Sequence, residues 1–584
     1  MSSMITRLYG NFRGCDFRGE DVDILRSPNS LNMWKDYKNL ECIRTRPEME
    51  LVESFTDTIW GIYFYKASNT DMMIVHAGTK LYKVVNGVKT ELYSNINNSK
   101  SDSFIFNGYW YFKDGKNYLQ YDGNEIKEVM GYIPTTSIAR KPQGGGTTHE
   151  DINLIQPKRK NTFLADGTSK DYYLDAQNID TDYKPIVKVN DAVVSNYTVD
   201  YTAGKITFTT APTVPLTDGQ DNVSVEFKKT VAGYKDKINK CTLLQVFDNR
   251  VFFSGNKDYP NMIFHCSLDD PTYCSDLDYY NEGLDTAEVK GLVAGNNVLW
   301  VFKEPSQANT TVFYHEPTID SEYGKIYPST HSSISTGCIG KAINFNDDIL
   351  FFSDRGMEGI SGDITTEQVI AHRSSLVDRK LIAESNYKNM QLAEWEGYLL
   401  IFIDNKVYLA DSRAMFEKET HIEYDFFYWE LSKNITCTCV HNGILYLGTS
   451  DGVYTLTDNE ANVESYWTTP KDKFNYPHKL KTTNKRGCTV EATGDISVYA
   501  KTEKKEFELI GTYENITDYF VSRIKRKKFK DLQLKFYSDK RFSLETASLE
   551  VFVGAYIKRW LIYTNLRPLW VTENCRRAGK ANRK

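Results

Sequence analysis

The segment Asn296-Asn297-Val298-Leu299-Trp300-Val301-Phe302 joins a polar turn to an aliphatic and aromatic strand. Asparagine tolerates positive φ angles and suits a tight hairpin, while β-branched and aromatic residues suit a half-buried pleated strand. The same unit, a turn of Asn, Asp or Gly before such a strand, recurs with its turns near residues 57, 107, 248, 347, 396 and 442. Because long helical periodicity is nearly absent, the sequence predicts an all-β protein.

The spacing of these turns is nearly constant. It is 50 residues from 57 to 107, 48 from 248 to 296, 51 from 296 to 347, 49 from 347 to 396, and 46 from 396 to 442. A period of about 50 residues that holds several short strands is typical of β-propeller blades. We therefore expect a β-propeller of about six to seven blades, and the alternative is an irregular all-β protein with accidental spacing.

One interval between turns, from 107 to 248, is 141 residues long and indicates an inserted domain. Residues 143–148 contain three successive glycines, which we interpret as a flexible linker near the start of the insertion. Residues 205–209 and 223–227 alternate apolar and polar side chains, as strands with one buried face do. We predict a β-sandwich-like domain over residues 150–232.

The remaining boundaries follow from where the period starts and stops. Residues 1–50 form an N-terminal segment that leads into the propeller, whose blades occupy residues 51–149 and 233–464. The period ends near residue 465, and alternating strands over residues 465–559 predict a separate C-terminal β-domain. Residues 560–584 form a basic tail.

Composition and charge exclude several classes of protein. The 584 residues contain 71 Lys and Arg against 77 Asp and Glu, a net charge of −6, so no chain-wide signal favours nucleic acid or an anionic membrane. The longest apolar run, Tyr398–Ile403, is far shorter than the ~20 residues of a membrane helix, and no secretory signal pattern opens the chain. We expect a protein made and kept in a cytoplasm, without membrane anchoring.

Motifs for catalysis, cofactors or metals are not evident. The sequence has no phosphate-binding glycine loop, zinc-protease motif, serine-hydrolase motif or Cys-x-x-Cys pair. Cys437 and Cys439 share a strand face, and His265, Cys266 and Cys274 are close in sequence, but neither group has a second pair at structural-zinc spacing. We expect these cysteines to be small buried hydrophobes, and we predict no enzyme, no catalytic residue, no metal and no cofactor.

One charge cluster contrasts with the negative net charge of the chain. Six of the eight residues 523–530 are basic: Arg523, Lys525, Arg526, Lys527, Lys528 and Lys530. One interpretation is a strand whose solvated lysines protect a sheet edge. The other is an interface with an acidic partner or a nucleic-acid backbone, because phosphate contacts need only point charges. This run is the candidate interaction site of the sequence.

Short motifs along the chain resemble those of tailed-phage virion proteins. Residues 11–16 (Asn-Phe-Arg-Gly-Cys-Asp), Asn32-Met33 and Arg46-Pro47 resemble the segment that leads into a β-propeller in such proteins. Residues 163–168 (Phe-Leu-Ala-Asp-Gly-Thr) are similar to the start of an inserted β-domain, and residues 467–470 (Trp-Thr-Thr-Pro) to the C-terminal part. The group they resemble is the tail nozzle family, also called tail tubular protein B or packaged-DNA stabilisation protein.

This resemblance implies a non-enzymatic virion component. Members form a ring, usually a hexamer, below the portal and adaptor of the head-tail connector and above other tail or fibre proteins. The ring closes the DNA channel, retains the packaged genome and conducts it during ejection, with non-specific DNA contact. The implied location is the virion tail, after assembly in the bacterial host cytoplasm. Glu48 follows Pro47 where the family normally has glycine, and residues 560–584 match nothing in it.

Two other classes of function remain open at the level of sequence. A propeller glycosidase would need two carboxylates about 5–10 Å apart in one pocket. A receptor- or glycan-binding propeller at the tail tip would expose Trp and Tyr side chains on one loop face. Most aromatic residues of this chain lie within predicted strands, where packing accounts for them.

Overall fold

The computed structural model describes residues 3–37, 42–306, 310–321, 324–332, 334–361, 369–418, 421–458 and 462–556. Almost all regular structure in these ranges is β-strand, arranged in ten sheets, which confirms the predicted all-β fold. The α-helices among the described residues have six residues or fewer, and none is long and apolar enough to cross a membrane.

The first half of the chain contains an N-terminal segment, two blades and the inserted domain. The N-terminal strands are β1 (Ser3–Tyr9), β2 (Ser30–Leu31), β3 (Met33–Lys35), β4 (Ile43–Thr45) and β5 (Glu48–Ser54). Blade 1 contains β6 (Ile59–Ala67), β7 (Thr70–Ala77), β8 (Lys80–Val85) and β9 (Val88–Ser94). Blade 2 contains β10 (Asp102–Phe106), β11 (Tyr109–Lys113), β12 (Tyr118–Tyr121) and β13 (Ile126–Glu128). The inserted domain contains β14 (Thr135–Arg140), β15 (Thr147–Thr148), β16 (Lys158–Phe163), β17 (Asp171–Tyr173), β18 (Ile186–Val189), β19 (Ala192–Val194), β20 (Tyr197–Asp200), β21 (Lys205–Phe208) and β22 (Val223–Lys228), with helix α1 (Tyr234–Asn239) after it.

The second half contains five more blades and the C-terminal domain. Blade 3 contains β23 (Leu243–Phe247), β24 (Arg250–Ser254), β25 (Met262–His265) and β26 (Tyr279–Asn281). Blade 4 contains β27 (Val289–Gly295), β28 (Val298–Lys303), β29 (Val312–His315), the side hairpin β30 (Thr318–Asp320) and β31 (Gly324–Ile326), and β32 (Ser329–His331). Blade 5 contains β33 (Ala342–Phe345), β34 (Asp348–Ser353), β35 (Gly356–Ser361) and β36 (Val369–His372), followed by helix α2 (Asp378–Leu381) and a 3-10 turn (Tyr387–Asn389). Blade 6 contains β37 (Gln391–Trp395), β38 (Tyr398–Ile403), β39 (Lys406–Lys418) and β40 (His421–Glu430), and blade 7 begins with β41 (Cys437–His441), β42 (Ile444–Gly448) and β43 (Gly452–Thr457). The C-terminal strands are β44 (Ser465–Thr468), β45 (Lys479–Thr502), β46 (Lys505–Ile516), β47 (Tyr519–Ser522), β48 (Lys527–Phe529), β49 (Leu532–Ser538) and β50 (Phe542–Tyr556).

The seven blades form a closed β-propeller. The first strands of neighbouring blades contact one another, β6 with β10, β10 with β23, β23 with β27, and β27 with β33, so these strands line the centre. Between blades 5 and 6, Lys341 Nζ donates a hydrogen bond to Gln391 Oε1 over 3.1 Å, and β37 contacts β41, which contacts β6. The fourth strand of blade 7 is β5, which pairs antiparallel with β43 and so joins the N-terminal segment to the last blade. The predicted propeller of six to seven blades is therefore confirmed, with seven.

Burial explains why the second strands of the blades are the most apolar. All six residues of Val298–Lys303 in blade 4 are buried, and so are all six of Tyr398–Ile403 in blade 6. Each blade is covered on both faces by its neighbours, so its middle strands have no solvent-facing side and lack a polar alternation. This is the physical origin of the aliphatic and aromatic units in the sequence.

The repeated turns lie between the first and second strands in six blades. Asn296 and Asn297, with φ of 55° and 62°, connect β27 to β28 in this way. In blade 1 the equivalent turn is Ser68–Asn69, whereas the predicted turn at Asp57 precedes the first strand. The predicted repeat therefore equated the first strand of blade 1 with the second strands of the other six blades. Both kinds of strand are rich in aliphatic and aromatic residues.

The inserted domain consists of a six-stranded and a three-stranded sheet around a shared core that includes Phe163, Tyr172 and Ile206. Its sheet includes β14, so the domain begins earlier than residue 150. The glycines 144–146 lie in the loop between β14 and β15 rather than in a linker between domains, because β14 already pairs with β16.

The N-terminal segment and the C-terminal strands form one structural unit. β1 pairs along its whole length with β50, β4 also pairs with β50, and β2 pairs with β44. Phe12 packs edge-on against Trp467 at a centroid distance of 5.0 Å, and both are buried. β3 pairs with β40 of blade 6, so the described residues before β5 are part of the C-terminal domain and connect it to the propeller. The predicted tail, residues 560–584, lies outside the described residues.

Arg46 stands where the chain passes from the C-terminal sheet to blade 7. Its guanidinium donates to the side chain of Asn32 over 3.0 Å, to the carbonyl of Pro47 over 2.7 Å and to the carbonyl of Glu430 over 2.8 Å. Burial lowers the pKa of Arg46 to about 10. One buried side chain thus links the N-terminal segment, blade 6 and the strand that completes blade 7.

We expect Arg46→Met to destabilise the protein by about 3 kcal/mol or more, because it leaves several buried acceptors without donors at about 1–3 kcal/mol each. The measurement is the urea midpoint of the first unfolding transition, followed by tryptophan fluorescence. Lys235→Met is the control, because Lys235 pairs with Glu128 where both side chains are about half exposed, and such surface pairs contribute about 1 kcal/mol or less. Equal midpoints for the two variants would contradict the linking role of Arg46.

Candidate functional site

The basic run lies on an edge of the C-terminal sheet. Residues 523–526 connect β47 to β48, and within the described part of the chain both of these strands pair only with β45. Ile524 and Phe529 point into the core, with 1% and 2% exposure, while the charged side chains around them point outwards. This placement agrees with edge protection by lysines and also leaves the cations free to contact a ligand.

The pairing of β45 opens a gap opposite this run. β45 pairs with β47 at Cys488 and with β48 at Thr482, and the two chains separate between these positions. At one end, Thr483 bridges the gap, because its hydroxyl accepts the Arg526 N–H over 3.0 Å. At the other end the chains approach closely at Gly487, whose φ is 92° and where a Cβ atom would lie 2.2 Å from the Ser522 carbonyl oxygen. The gap is therefore bounded by specific contacts at both ends.

The result is a groove of about 900 Å³, named here the basic groove. Two of its cations come from β45 and four from the opposite chain: Lys485, Arg486, Arg523, Lys525, Arg526 and Lys527. The other lining residues are hydroxyl, amide or aliphatic: Thr482, Thr483, Asn484, Thr489 and Val521. Since no aromatic ring lines the groove, its chemistry suits phosphate contacts rather than base stacking.

Most of the positive charge in the basic groove is not neutralised. Arg526 is half-buried and pairs with Glu508 over 2.8 Å, and a hydrogen bond from Lys505, together with the charge of Arg526, lowers the pKa of Glu508. The other five cations are exposed, and none forms an ion pair with a residue in the described ranges. Asn484 donates a hydrogen bond to the Glu550 carboxylate, which keeps this acid engaged beside the groove.

The structure divides the six predicted residues into two groups. Arg523, Lys525, Arg526 and Lys527 line the groove, whereas Lys528 and Lys530 do not. The Lys528 carbonyl accepts a hydrogen bond from the Lys504 ammonium over 3.0 Å, and the Lys530 N–H donates to the Glu503 carboxylate over 2.9 Å. Both residues therefore contact the turn between β45 and β46 rather than the groove. Lys528 has φ of 55°, and this irregularity turns the end of the run away from the groove.

Sequence reasoning missed Lys485 and Arg486. They are two adjacent cations before Gly487, too short a run to stand out in a chain that is 25% charged. Only the pairing of β45 with β47 and β48 brings them beside residues 523–527, which follow almost 40 positions later. The separation of two paired strands is not visible as a local pattern.

A second cluster of titratable side chains lies in blade 5. His372 Nδ1 is 3.1 Å from Glu358, and Nε2 is 2.5 Å from Asp378. Ser374 donates to Asp378 over 2.5 Å and accepts the Met357 N–H over 2.8 Å. Because both imidazole nitrogens face carboxylates, the ring holds two protons and has no lone pair for base catalysis. Ser374 is fully buried, so we interpret the cluster as structural.

The cysteines considered as metal ligands lie in packed cores. Cys266 and Cys274 are fully buried between blades 2 and 3, where burial raises the pKa of Cys274. Cys437 is buried near the propeller centre, and burial raises its pKa to about 12. The described residues include no group of three or more His, Cys, Asp or Glu side chains that could hold a metal ion.

Comparisons with known proteins give distant structural similarity only. No family model and no curated protein sequence matches this chain. BamB from Moraxella catarrhalis is 11% identical, with a TM-score of 0.32 over 71% of this chain and 99% of that one. The computationally designed Ika8 protein is 10% identical, with a TM-score of 0.30 over 70% of this chain and 99% of that one. An exo-beta-1,3-galactanase from Phanerochaete chrysosporium is 8% identical, with a TM-score of 0.22 over 53% and 95%.

At these identities and TM-scores the similarities support no inference about substrate or partner. The class of protein is defined instead by its own sheets, as a seven-bladed β-propeller with an inserted β-domain and a C-terminal β-domain. The basic groove is a feature of this architecture that suits an anionic partner.

The cluster in blade 5 predicts a pH-dependent contribution to stability. Burial alone would lower the pKa of His372, but hydrogen bonds with Asp378 and Glu358 raise it to about 10. A histidine whose pKa is raised on folding stabilises the fold fully below its unfolded pKa of about 6.5, and the contribution disappears as pH rises through the folded value. We expect the urea midpoint of His372→Gln to lie furthest below wild type near pH 6 and to approach it towards pH 10. His331→Gln, at an exposed position, is the control, and a difference for His372→Gln that grows with pH would contradict the assignment.

Proposed function

We propose that this protein is a structural component of a bacteriophage tail, in the nozzle or tail-tube ring below the portal and adaptor. In this role a ring of several copies, six by resemblance to the family, closes the DNA channel and later conducts the genome. We further propose that the basic groove contacts the DNA backbone without reading sequence. The basic groove is the observation that supports DNA contact, and the family motifs support the location.

The groove suits contact with a passing polyanion. Its five unpaired cations are exposed on flexible side chains, so each contact with a phosphate is weak and is screened by salt. The hydroxyls of Thr482 and Thr489 add neutral groups that can donate hydrogen bonds to phosphate oxygens. A conduit needs contacts of this kind, because tight binding would stall DNA transit.

The connection between domains also supports a structural role. The C-terminal sheet is continuous with blade 6 through β3, and Asp425 of blade 6 pairs with both Arg13 and Arg26 of the N-terminal segment. These contacts give the domain that carries the groove a fixed position relative to the propeller. A component of a tube wall needs such rigidity to keep its lateral contacts in register.

The groove assignment predicts which cations matter for DNA binding. We expect the triple variant Arg486→Gln, Arg523→Gln and Lys525→Gln to weaken binding of a duplex of arbitrary sequence, measured by fluorescence anisotropy across a salt series. The slope of log affinity against log salt is expected to fall by about 3, since each phosphate contact contributes about 0.9.

The matched control removes three cations beside the groove, in Lys504→Gln, Lys528→Gln and Lys530→Gln. This variant has the same change in net charge, so it is expected to change the slope by less than about 1. Equal losses in both triple variants would contradict a defined groove. Unchanged DNA binding with failed incorporation into particles would instead assign the groove to an acidic neighbouring protein.

The location predicts where the protein is found in phage particles. We expect the purified protein to form rings in negative-stain images, and an antibody against it to label the tail vertex. A protein that stays monomeric and is absent from particles would contradict the tail assignment. Glycan-binding and polysaccharide-cleavage assays would then test the two alternative classes.

A further inference from the structure

Two lysines stand at one mouth of the propeller channel. The first strands of the blades all begin on the same face of the ring, and Lys100 precedes β10 of blade 2 there. Lys341 immediately precedes β33 of blade 5 at the same face. Both side chains are exposed to the solvent of the channel mouth. Blades 2 and 5 lie on opposite sides of a seven-bladed ring, so these lysines approach the axis from opposite directions.

Hydrogen bonds bring both ammonium groups to blade 6. Lys100 Nζ donates to the carbonyl of Asn389, just before β37, over 3.1 Å. Blades 1 and 7 separate blade 2 from blade 6, so this bond crosses the channel mouth. Lys341 Nζ donates to Gln391 Oε1, at the start of β37, over 3.1 Å. The two positive charges are thus held near each other rather than spread around the ring.

Neither charge is neutralised by a contact within the described residues. Each ammonium carries three N–H donors, and the partner of each lysine here is a neutral oxygen. Asp102, at the start of β10, is the nearby acid, and it attracts Lys341 without forming an ion pair. Lys100, Lys341 and Asp102 together carry a net positive charge, and both ammonium groups keep free donors.

Burial and neighbouring charge both shift the pKa values of the groups at the channel mouth. The protein that encloses the channel, together with the charge of Lys341, lowers the pKa of Lys100 to about 8. Enclosure also raises the pKa of Asp102 to about 6. An anion bound between the lysines would relieve their mutual repulsion. A cleft of about 580 Å³ beside the mouth, lined by both lysines and acids, among them Lys290, Asp114 and Glu288, gives solvent access to it.

We propose that the channel mouth binds a small oxyanion, a phosphate or carboxylate group, between Lys100 and Lys341. Charge-assisted hydrogen bonds from two ammonium groups suit an acceptor with several oxygens. The site is separate from the basic groove and does not rest on the proposed tail function. The hydrogen bond from Lys100 to the Asn389 carbonyl also holds a charged side chain across the mouth of the propeller channel.

Isothermal titration with sodium phosphate, and separately with sodium acetate, at constant ionic strength tests the site. We expect saturable binding of at least one anion, and a loss of affinity of at least tenfold in the double variant Lys100→Met and Lys341→Met. Phosphate binding alone would identify a phosphate site, and acetate binding alone a carboxylate site. Lys100→Arg keeps the charge and is expected to retain binding, which guards against a folding defect in the double variant.

Two controls separate this site from general anion adsorption. Lys127→Met removes an exposed lysine of blade 2 away from the mouth, and the triple variant of the basic groove removes the other cationic site. Both are expected to bind the anion as wild type does. No saturable binding, or unchanged affinity in the double variant, would overturn the proposal, as would loss of binding in the groove variant.

Affinity is also expected to depend on pH. The groups whose charge acts on Lys100 are Lys341 and Cys437, while Asp102, two residues along the same blade, acts on Lys341. Inorganic phosphate is mostly the dianion at pH 7.5 and almost entirely so at pH 9.5, so its own charge changes little over this range. As pH rises through about 8, Lys100 loses its proton and phosphate affinity falls. A constant affinity between pH 7.5 and 9.5 would contradict the role of Lys100.

Discussion

The pairing of β5 with β43 is the interaction on which the rest of this structure depends. It completes the seventh blade with residues that precede the first blade, so the two ends of the propeller sequence are held together by backbone hydrogen bonds. The same stretch continues backwards through Arg46 into β4 and the C-terminal sheet. The same short N-terminal segment therefore both closes the ring and joins it to the C-terminal domain.

The basic groove follows from the same kind of long-range pairing. β45 is 24 residues long and pairs with β50 on one side and with β47 and β48 on the other. Where its partners change from β48 to β47, backbone pairing lapses and the two chains separate. Cations occupy both sides of this gap, and the irregular strand edge thereby becomes a surface suited to anions.

The local distribution of charge indicates the binding surfaces of this protein, whereas its net charge does not. The chain as a whole carries −6, yet the basic groove and the channel mouth each concentrate positive charge. Their cations differ in surroundings, because those of the groove lie on a sheet edge while Lys100 and Lys341 stand at the mouth of a channel ringed by seven blades. The groove accordingly suits a long, loosely held polyanion, and the channel mouth a small ligand.

The sequence by itself determined the all-β class, the propeller and the turns of six blades, because these depend on local pattern. Asparagine pairs such as Asn296-Asn297 specify hairpins, and apolar strands specify burial on both faces. The tertiary structure decided that blade 1 turns at Ser68–Asn69, that the N-terminal segment belongs to the C-terminal sheet, and that Lys485 and Arg486 join part of the basic run while Lys528 leaves it. The physical reason is that strand partners are chosen by backbone hydrogen bonds between distant segments, and nothing in a local pattern records which distant edge a strand will meet.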